Sequence, residues 1–105
     1  LHTEDESFKT IAENVAHYHH ERWDGSGYPE GIAKEEIPLE ARIMAIADVY
    51  DALVSKRVYK EAFSFEKANS IIMEGMGTQF DPSLKSAYEE ARPRLENYYE
   101  KLKQE

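Results

Sequence analysis

Apolar residues recur along this chain at the three- and four-residue steps of an α-helix, and no stretch alternates as a half-buried strand would. Phe8, Ile11, Ala12, Val15 and Tyr18 or His19 mark a first helix over residues 4–22, with Thr3 and Glu6 as a capping box and Gly25 and Gly27 as its stop. Pro38 suits the first turn of a second helix, 38–56, whose Ile43, Ile46, Ala47, Tyr50, Leu53 and Val54 form a broad buried face. Ser64 is a good N-cap for a third, 65–75, with Ala68, Ile71 and Ile72 inward and Gly75 and Gly77 breaking it. Asp81 and Pro82 open a last helix, 82–103. There Leu84, Tyr88, Ala91, Leu95, Tyr98 and Leu102 make a seam for a neighbour, and Pro93 is expected to kink or split the helix. Between the first two helices, residues 24–37 read as a loop rich in turn formers. The expectation is an all-α bundle of about four helices in a single unit, residues 1–105.

Composition narrows what such a bundle can do. The net charge is −8, concentrated in residues 1–40, where ten acidic residues face three basic ones. Such a chain repels nucleic acid backbones, so general DNA or RNA binding is excluded. The local exception is KRVYK at 56–60, a patch the size of a phosphate group. There is no cysteine, so any metal must be held by nitrogen and oxygen. No apolar run reaches the roughly 20 residues of a membrane span, and no charged-then-apolar stretch stands at Leu1 to argue for secretion, so the expectation is a cytoplasmic address. The first residue is Leu1 rather than methionine, so the chain reads as a piece of something longer.

The stretch HHERWDGSGYP, residues 19–29, stands out from ordinary packing. On a helix His19 and His20 point about 100° apart, so they suit two neighbouring ions better than one. The alternative is that both are polar helix-end residues favoured by the dipole. Asp48 shifts the balance, because it lies within ARIMAIADVYDAL, where an unpaired buried carboxylate is costly and a cation would compensate it. Asp51 follows on nearly the same face. Arg57 and Lys60 fit either a solvated helix end or a phosphate clamp. His17 reads as a polar helix residue, His2 as part of a frayed start, and the acidic run in 30–40 as solvated surface.

Together these residues closely resemble one family. HHERWDGSGYPEG is similar to the HHExxDGxGYP signature of HD-GYP domains, metal-dependent phosphodiesterases of cyclic di-GMP. The likeness continues through IPLEARIMAIADVYDALVSKRVYKEAF and GMGTQFDP, in order and spacing, over roughly residues 10–88. The resemblance implies the helical fold of the HD superfamily and a site of two or three iron or manganese ions. By motif position it makes His19, His20 and Asp48 metal ligands. It places Tyr28, Asp51, Arg57 and Lys60 near the substrate, the last two on its phosphates. Glu21, Asp24, Gly25, Gly27 and Pro29 would brace the ligand segment and the loop. The chemistry implied is metal-assisted in-line attack on a phosphodiester. Family loops of this kind are also associated with diguanylate cyclase domains, so a non-catalytic docking module is the second reading.

The departures are specific. Glu35 stands where the family often has glycine, Val54 where threonine or serine is common, and Val58 where proline is common. No His-Asp doublet occurs in these residues, nor the upstream glutamate, histidine and lysine of the family. About half the implied ligands are therefore outside the chain, which alone is expected to be inactive. Uncovered apolar faces on the helices at 4–22 and 38–56 are expected to drive homo-oligomer formation or recruit a partner.

Overall fold

The structure, a computed structural model, describes residues 2–55 and 61–103. The KRVYK segment, including Arg57 and Lys60, lies outside the described residues. Four α-helices follow one another: α1, His2–Tyr18; α2, Leu39–Val54; α3, Phe65–Glu74; and α4, Lys85–Lys103. Single 3-10 turns at Lys34–Glu36 and Pro82–Leu84 precede α2 and α4. Among the described residues there is no strand, only an isolated bridge between Met76 and Phe80. No described helix is long and apolar enough to cross a membrane.

Helix α2 is the central element, packed against α1 and α3. Its Ile46, Tyr50 and Val54 meet Ala68 and Ile72 of α3, Phe80 of the following loop and Tyr88 of α4 in one buried cluster. Ser64 caps α3 through its hydroxyl, which accepts the Lys67 N–H at 3.1 Å. Gly75 ends α3, and a side chain there would meet the Phe80 ring at 2.8 Å. The glycine lets the core aromatic close over the helix end.

The ends of the helices depart from the periodicity. Helix α1 begins at His2, so Thr3 lies inside it rather than at its cap. It stops at Tyr18, well short of Arg22, because the His20 carbonyl accepts from the Tyr28 N–H at 3.3 Å instead of from the next turn. Gly25 and Gly27 therefore shape the loop rather than end the helix. Helix α2 stops at Val54, where the Leu53 carbonyl is taken by the Phe63 N–H at 2.8 Å. Pro93 neither splits nor interrupts α4. It and Glu89, whose carbonyl loses a donor, are both exposed, so water can take the lost bond.

Side-chain burial also departs from the pattern. The apolar stripe of α1 stays open, with Phe8 75% and Ile11 49% exposed. On α2, Ile43 is 51% exposed and Ala47 is exposed as well. No described element covers these faces. On α4 it is Tyr99, not Tyr98, that turns inward, its ring 5.6 Å from that of Tyr50. The heptad step and the 3.6-residue turn disagree by this point, and the Tyr99 hydroxyl finds a carboxylate to bind.

A largely buried ion pair joins the first turn of α2 to the turn before α4. Arg42 donates from Nε to the Ile37 carbonyl at 2.9 Å and from its terminal nitrogen to Asp81 Oδ2 at 2.7 Å. The other Asp81 oxygen accepts the Ser83 N–H at 2.9 Å and hydroxyl at 2.8 Å, which caps the turn leading into α4. Burial alone would raise the Asp81 carboxyl, but the bonds from Arg42 and Ser83 outweigh it and hold it below its ordinary 3.8. A carboxylate depressed by folding contributes stability above that value and loses it as pH falls through the folded pKa. Asp81→Asn should therefore cost about 3 kcal/mol at pH 7, since it strands the Arg42 charge. In urea unfolding at fixed protein concentration, the gap between wild type and variant should narrow as pH falls below 3.8. A gap unchanged into that acid range would disprove the charge pairing.

Candidate active site

The chain between α1 and α2 is folded around the Glu21 side chain, which is buried. Its carboxylate accepts the Glu30 N–H at 2.6 Å and the Gly31 N–H at 2.8 Å. Two charge-assisted bonds to backbone are what a buried carboxylate needs, and they pull the tip of the loop back onto the end of α1. Gly27 lies against the same backbone. A methyl group there would meet Arg22 N at 2.5 Å and Glu21 Cα at 2.7 Å, with the His20 carbonyl closer still. Gly25 takes φ of 86°, in the left-handed region. Asp24 accepts the Ser26 hydroxyl at 2.6 Å and N–H at 3.0 Å. Those bonds, with smaller help from Arg22, hold its carboxyl below the usual range. The Tyr28–Pro29 peptide is cis, and both residues are exposed.

Two further contacts fix the loop from outside. His17 Nε2 lies 3.0 Å from Glu30 Oε2, joining α1 to the loop tip. The Trp23 and Asp24 N–H groups donate to the Gln79 and Thr78 carbonyls at 3.1 and 2.9 Å. The segment GMGTQFDP is thus tied to HHERWDGSGYP by backbone pairing, a link that side-chain chemistry alone did not reveal.

His19 and His20 occupy the turn just after α1, not the helix itself. Their rings therefore do not splay: the centroids are 3.9 Å apart, with planes inclined at 41°. His19 Nδ1 sits 2.7 Å from the Val15 carbonyl. A carbonyl only accepts, so Nδ1 carries a proton, and in the neutral ring the lone pair is on Nε2. That Nε2 lies 3.9 Å from Asp48 Oδ2. The His20 ring stacks on Tyr28, with centroids 5.0 Å apart and planes within 17°.

Asp48 is not buried, contrary to expectation. Its side chain is 54% exposed, because the α2 face carrying Met44, Ala47 and Asp48 has no described element over it. His19, His20, Arg22, Tyr28, Asp48 and Gln79 line one cleft of about 240 Å³. Arg22 and Gln79 were not singled out by sequence, although Arg22 lies within the histidine motif itself. Asp51 is not part of this cleft. Its carboxylate accepts the Tyr99 hydroxyl at 2.8 Å and the Ser55 hydroxyl at 3.4 Å. Burial, then the bond to Asp51, raises the Tyr99 phenol above its ordinary value.

Whether this cleft can hold an ion depends on its donors. Metal bonds to histidine nitrogen and carboxylate oxygen run near 2.0–2.2 Å. The 3.9 Å between His19 Nε2 and Asp48 Oδ2 is less than two such bonds, so one ion can touch both. Hard nitrogen and oxygen donors suit a divalent cation. Among the described residues, however, no group of three or more His, Cys, Asp or Glu is placed to hold one. The residues present fit a metal as part of a ligand set.

Comparison with known proteins shows the family. Residues 2–84 match the HD domain family. A cyclic di-GMP phosphodiesterase of Vibrio cholerae is 57% identical over 82 residues, which is 78% of this chain and 17% of that protein. The cyclic di-GMP phosphodiesterase response regulator RpfG of Xanthomonas campestris pv. campestris is 48% identical over 89 residues, 85% of this chain and 24% of that protein. A 3'3'-cGAMP-specific phosphodiesterase 2 of Vibrio cholerae is 46% identical over 74 residues, 70% of this chain and 14% of that protein. The chain thus spans a quarter or less of these curated relatives. From its helical fold, its clasped histidine loop and these matches, the chain belongs to the HD domain family, in its HD-GYP branch, and forms part of such a domain.

Proposed function

We propose that the domain containing this chain hydrolyses a phosphodiester bond of a cyclic dinucleotide, cyclic di-GMP, with His19, His20 and Asp48 contributing to a divalent metal centre. The observation that carries this reading is the approach of His19 Nε2 to Asp48 Oδ2 at 3.9 Å, with the histidine tautomer set by Val15. The names of the relatives supply the substrate class, since each acts on a cyclic dinucleotide.

With Nδ1 of His19 engaged by the Val15 carbonyl, Nε2 is the nitrogen left for a metal. His20 is held by the Tyr28 ring, which leaves the tyrosine exposed for a nucleotide base to stack upon. When bound, a divalent ion polarises the phosphodiester and lowers the pKa of a coordinated water. Iron or manganese suits the donor set. Arg57 and Lys60, outside the described residues, are assigned to the substrate phosphates, the arginine through its bidentate fork. Asp51 serves this end of α2 by joining it to α4 through Tyr99.

A second reading has one observation in its favour. Tyr28 is 62% exposed on a loop pinned by Glu21, a rigid aromatic of the kind that anchors protein interfaces. A diguanylate cyclase domain is the partner this reading names.

Three outcomes follow. In the full-length protein, His19→Ala and Asp48→Ala should each lower hydrolysis of cyclic di-GMP by about 100-fold or more, with loss of bound metal. Full activity in either variant, or an inactive wild type, would remove the catalytic reading. The 105-residue chain alone should hydrolyse cyclic di-GMP weakly or not at all and should run as a dimer or larger species in light scattering, given its open Phe8, Ile11 and Ile43. A strict monomer with clear metal-dependent turnover would contradict both statements. For the docking reading, titration with a purified diguanylate cyclase domain should give saturable binding that Tyr28→Ala weakens. No binding by wild type would dismiss it.

A further inference from the structure

The cleft contains a charge that the metal and loop roles do not use. Arg22 lines it together with His19, His20, Tyr28 and Asp48. Among the described residues lining that cleft, Arg22 is the one bearing a permanent positive charge, and Asp48 and Glu21 are the carboxylates. Glu21 is occupied by the loop N–H groups, whereas Asp48 faces the cleft with its charge exposed. A phosphodiester entering here carries its own negative charge past Arg22, the permanently cationic side chain among the described lining residues.

The plain alternative is that Arg22 braces the loop by pairing with Asp24. The geometry argues against this. Nε lies 3.8 Å from Asp24 Oδ1, at the limit of an ion pair, and both side chains are 38% exposed. Exposed pairs of this kind contribute little. The same Asp24 oxygen is already satisfied by the Ser26 hydroxyl and N–H at 2.6 and 3.0 Å. The Arg22 backbone, by contrast, is fixed: its carbonyl accepts the Gly25 N–H at 2.9 Å, and Gly27 packs on its nitrogen. The result is an arginine with an anchored base and a lightly held guanidinium at the cleft that it helps to line.

We propose that Arg22 is a substrate-binding residue whose guanidinium pairs with a non-bridging phosphate oxygen of the cyclic dinucleotide. The assignment rests on the phosphodiesterase reading above and adds a contact made from the histidine motif itself. Arginine is suited to this because its planar fork offers two parallel donors to one phosphate.

The test uses the full-length, metal-replete protein and steady-state hydrolysis of cyclic di-GMP. Arg22→Gln should lower kcat/KM by about 10- to 100-fold, mainly through KM, as expected for a lost charged hydrogen bond. Arg22→Lys should recover part of the loss, since it restores charge without the fork. The melting temperature should be unchanged. The fall of kcat/KM between about 20 and 500 mM salt should be shallower in Arg22→Gln than in wild type, because a cation attracting an anionic substrate has been removed. Wild-type kcat/KM in Arg22→Gln would overturn the assignment. So would a loss accompanied by a lower melting temperature and an unaltered salt slope, which would mark a loop brace. An active wild type with either result leaves the phosphodiesterase reading standing, whereas an inactive wild type removes that reading and this assignment with it.

Discussion

The Glu21 carboxylate is the constraint from which the site follows. A buried charge at this position requires donors, and the two that reach it are backbone N–H groups nine and ten residues ahead. Satisfying them bends the chain back over its own start. That closure brings the Gly27 backbone onto residues 20–22 and places Tyr28 beside His20. It also explains why α1 ends at Tyr18, leaving both histidines in a turn where their rings can approach. On a continued helix the same two side chains would diverge. The spacing of the motif is therefore a consequence of folding a loop around one carboxylate.

The three sequence blocks of the family likeness meet in space through polar contacts between named atoms. The first block pairs with the third by the backbone bonds of Trp23 and Asp24 to Gln79 and Thr78. The second joins the third through Arg42 and Asp81, and the first through the approach of His19 to Asp48. Helix α4 lies beyond the residues matched by the family, yet it reaches α2 through Tyr99 and Asp51. It contributes Tyr88 to the core as well, whose phenol burial pushes up to about 12. The cleft is thus supported from both sides of α2.

Much of this was legible in the residues. The four helices, the Ser64 and Asp81 caps and the loop over residues 24–37 follow from local rules, because caps and turns are determined by nearby atoms. What was not legible depends on contacts between distant segments. The early end of α1 depends on a hydrogen bond from Tyr28, and the inward turn of Tyr99 depends on Asp51. Arg22 escaped notice because a charge beside two histidines reads as surface until the cleft is seen. Asp48 misled in the opposite sense: apolar neighbours in sequence suggested burial, but burial depends on what lies across from them, and nothing described does.

That last point joins the open surface to the proposed metal site. Met44 and Asp48 are one helical turn apart, as are Ile43 and Ala47, so the uncovered apolar face of α2 and the candidate ligand are neighbours on one surface. Any element that covers Ile43 and Met44 also removes water from around Asp48. Desolvation raises the cost of the bare carboxylate and with it the advantage of a cation held between Asp48 and His19. In the uncovered chain Asp48 is solvated, and two donors compete poorly against water for a divalent ion. On the metal reading proposed above, covering the apolar face and filling the site would be coupled: the cover would supply low dielectric, and an ion would neutralise the charge it strands.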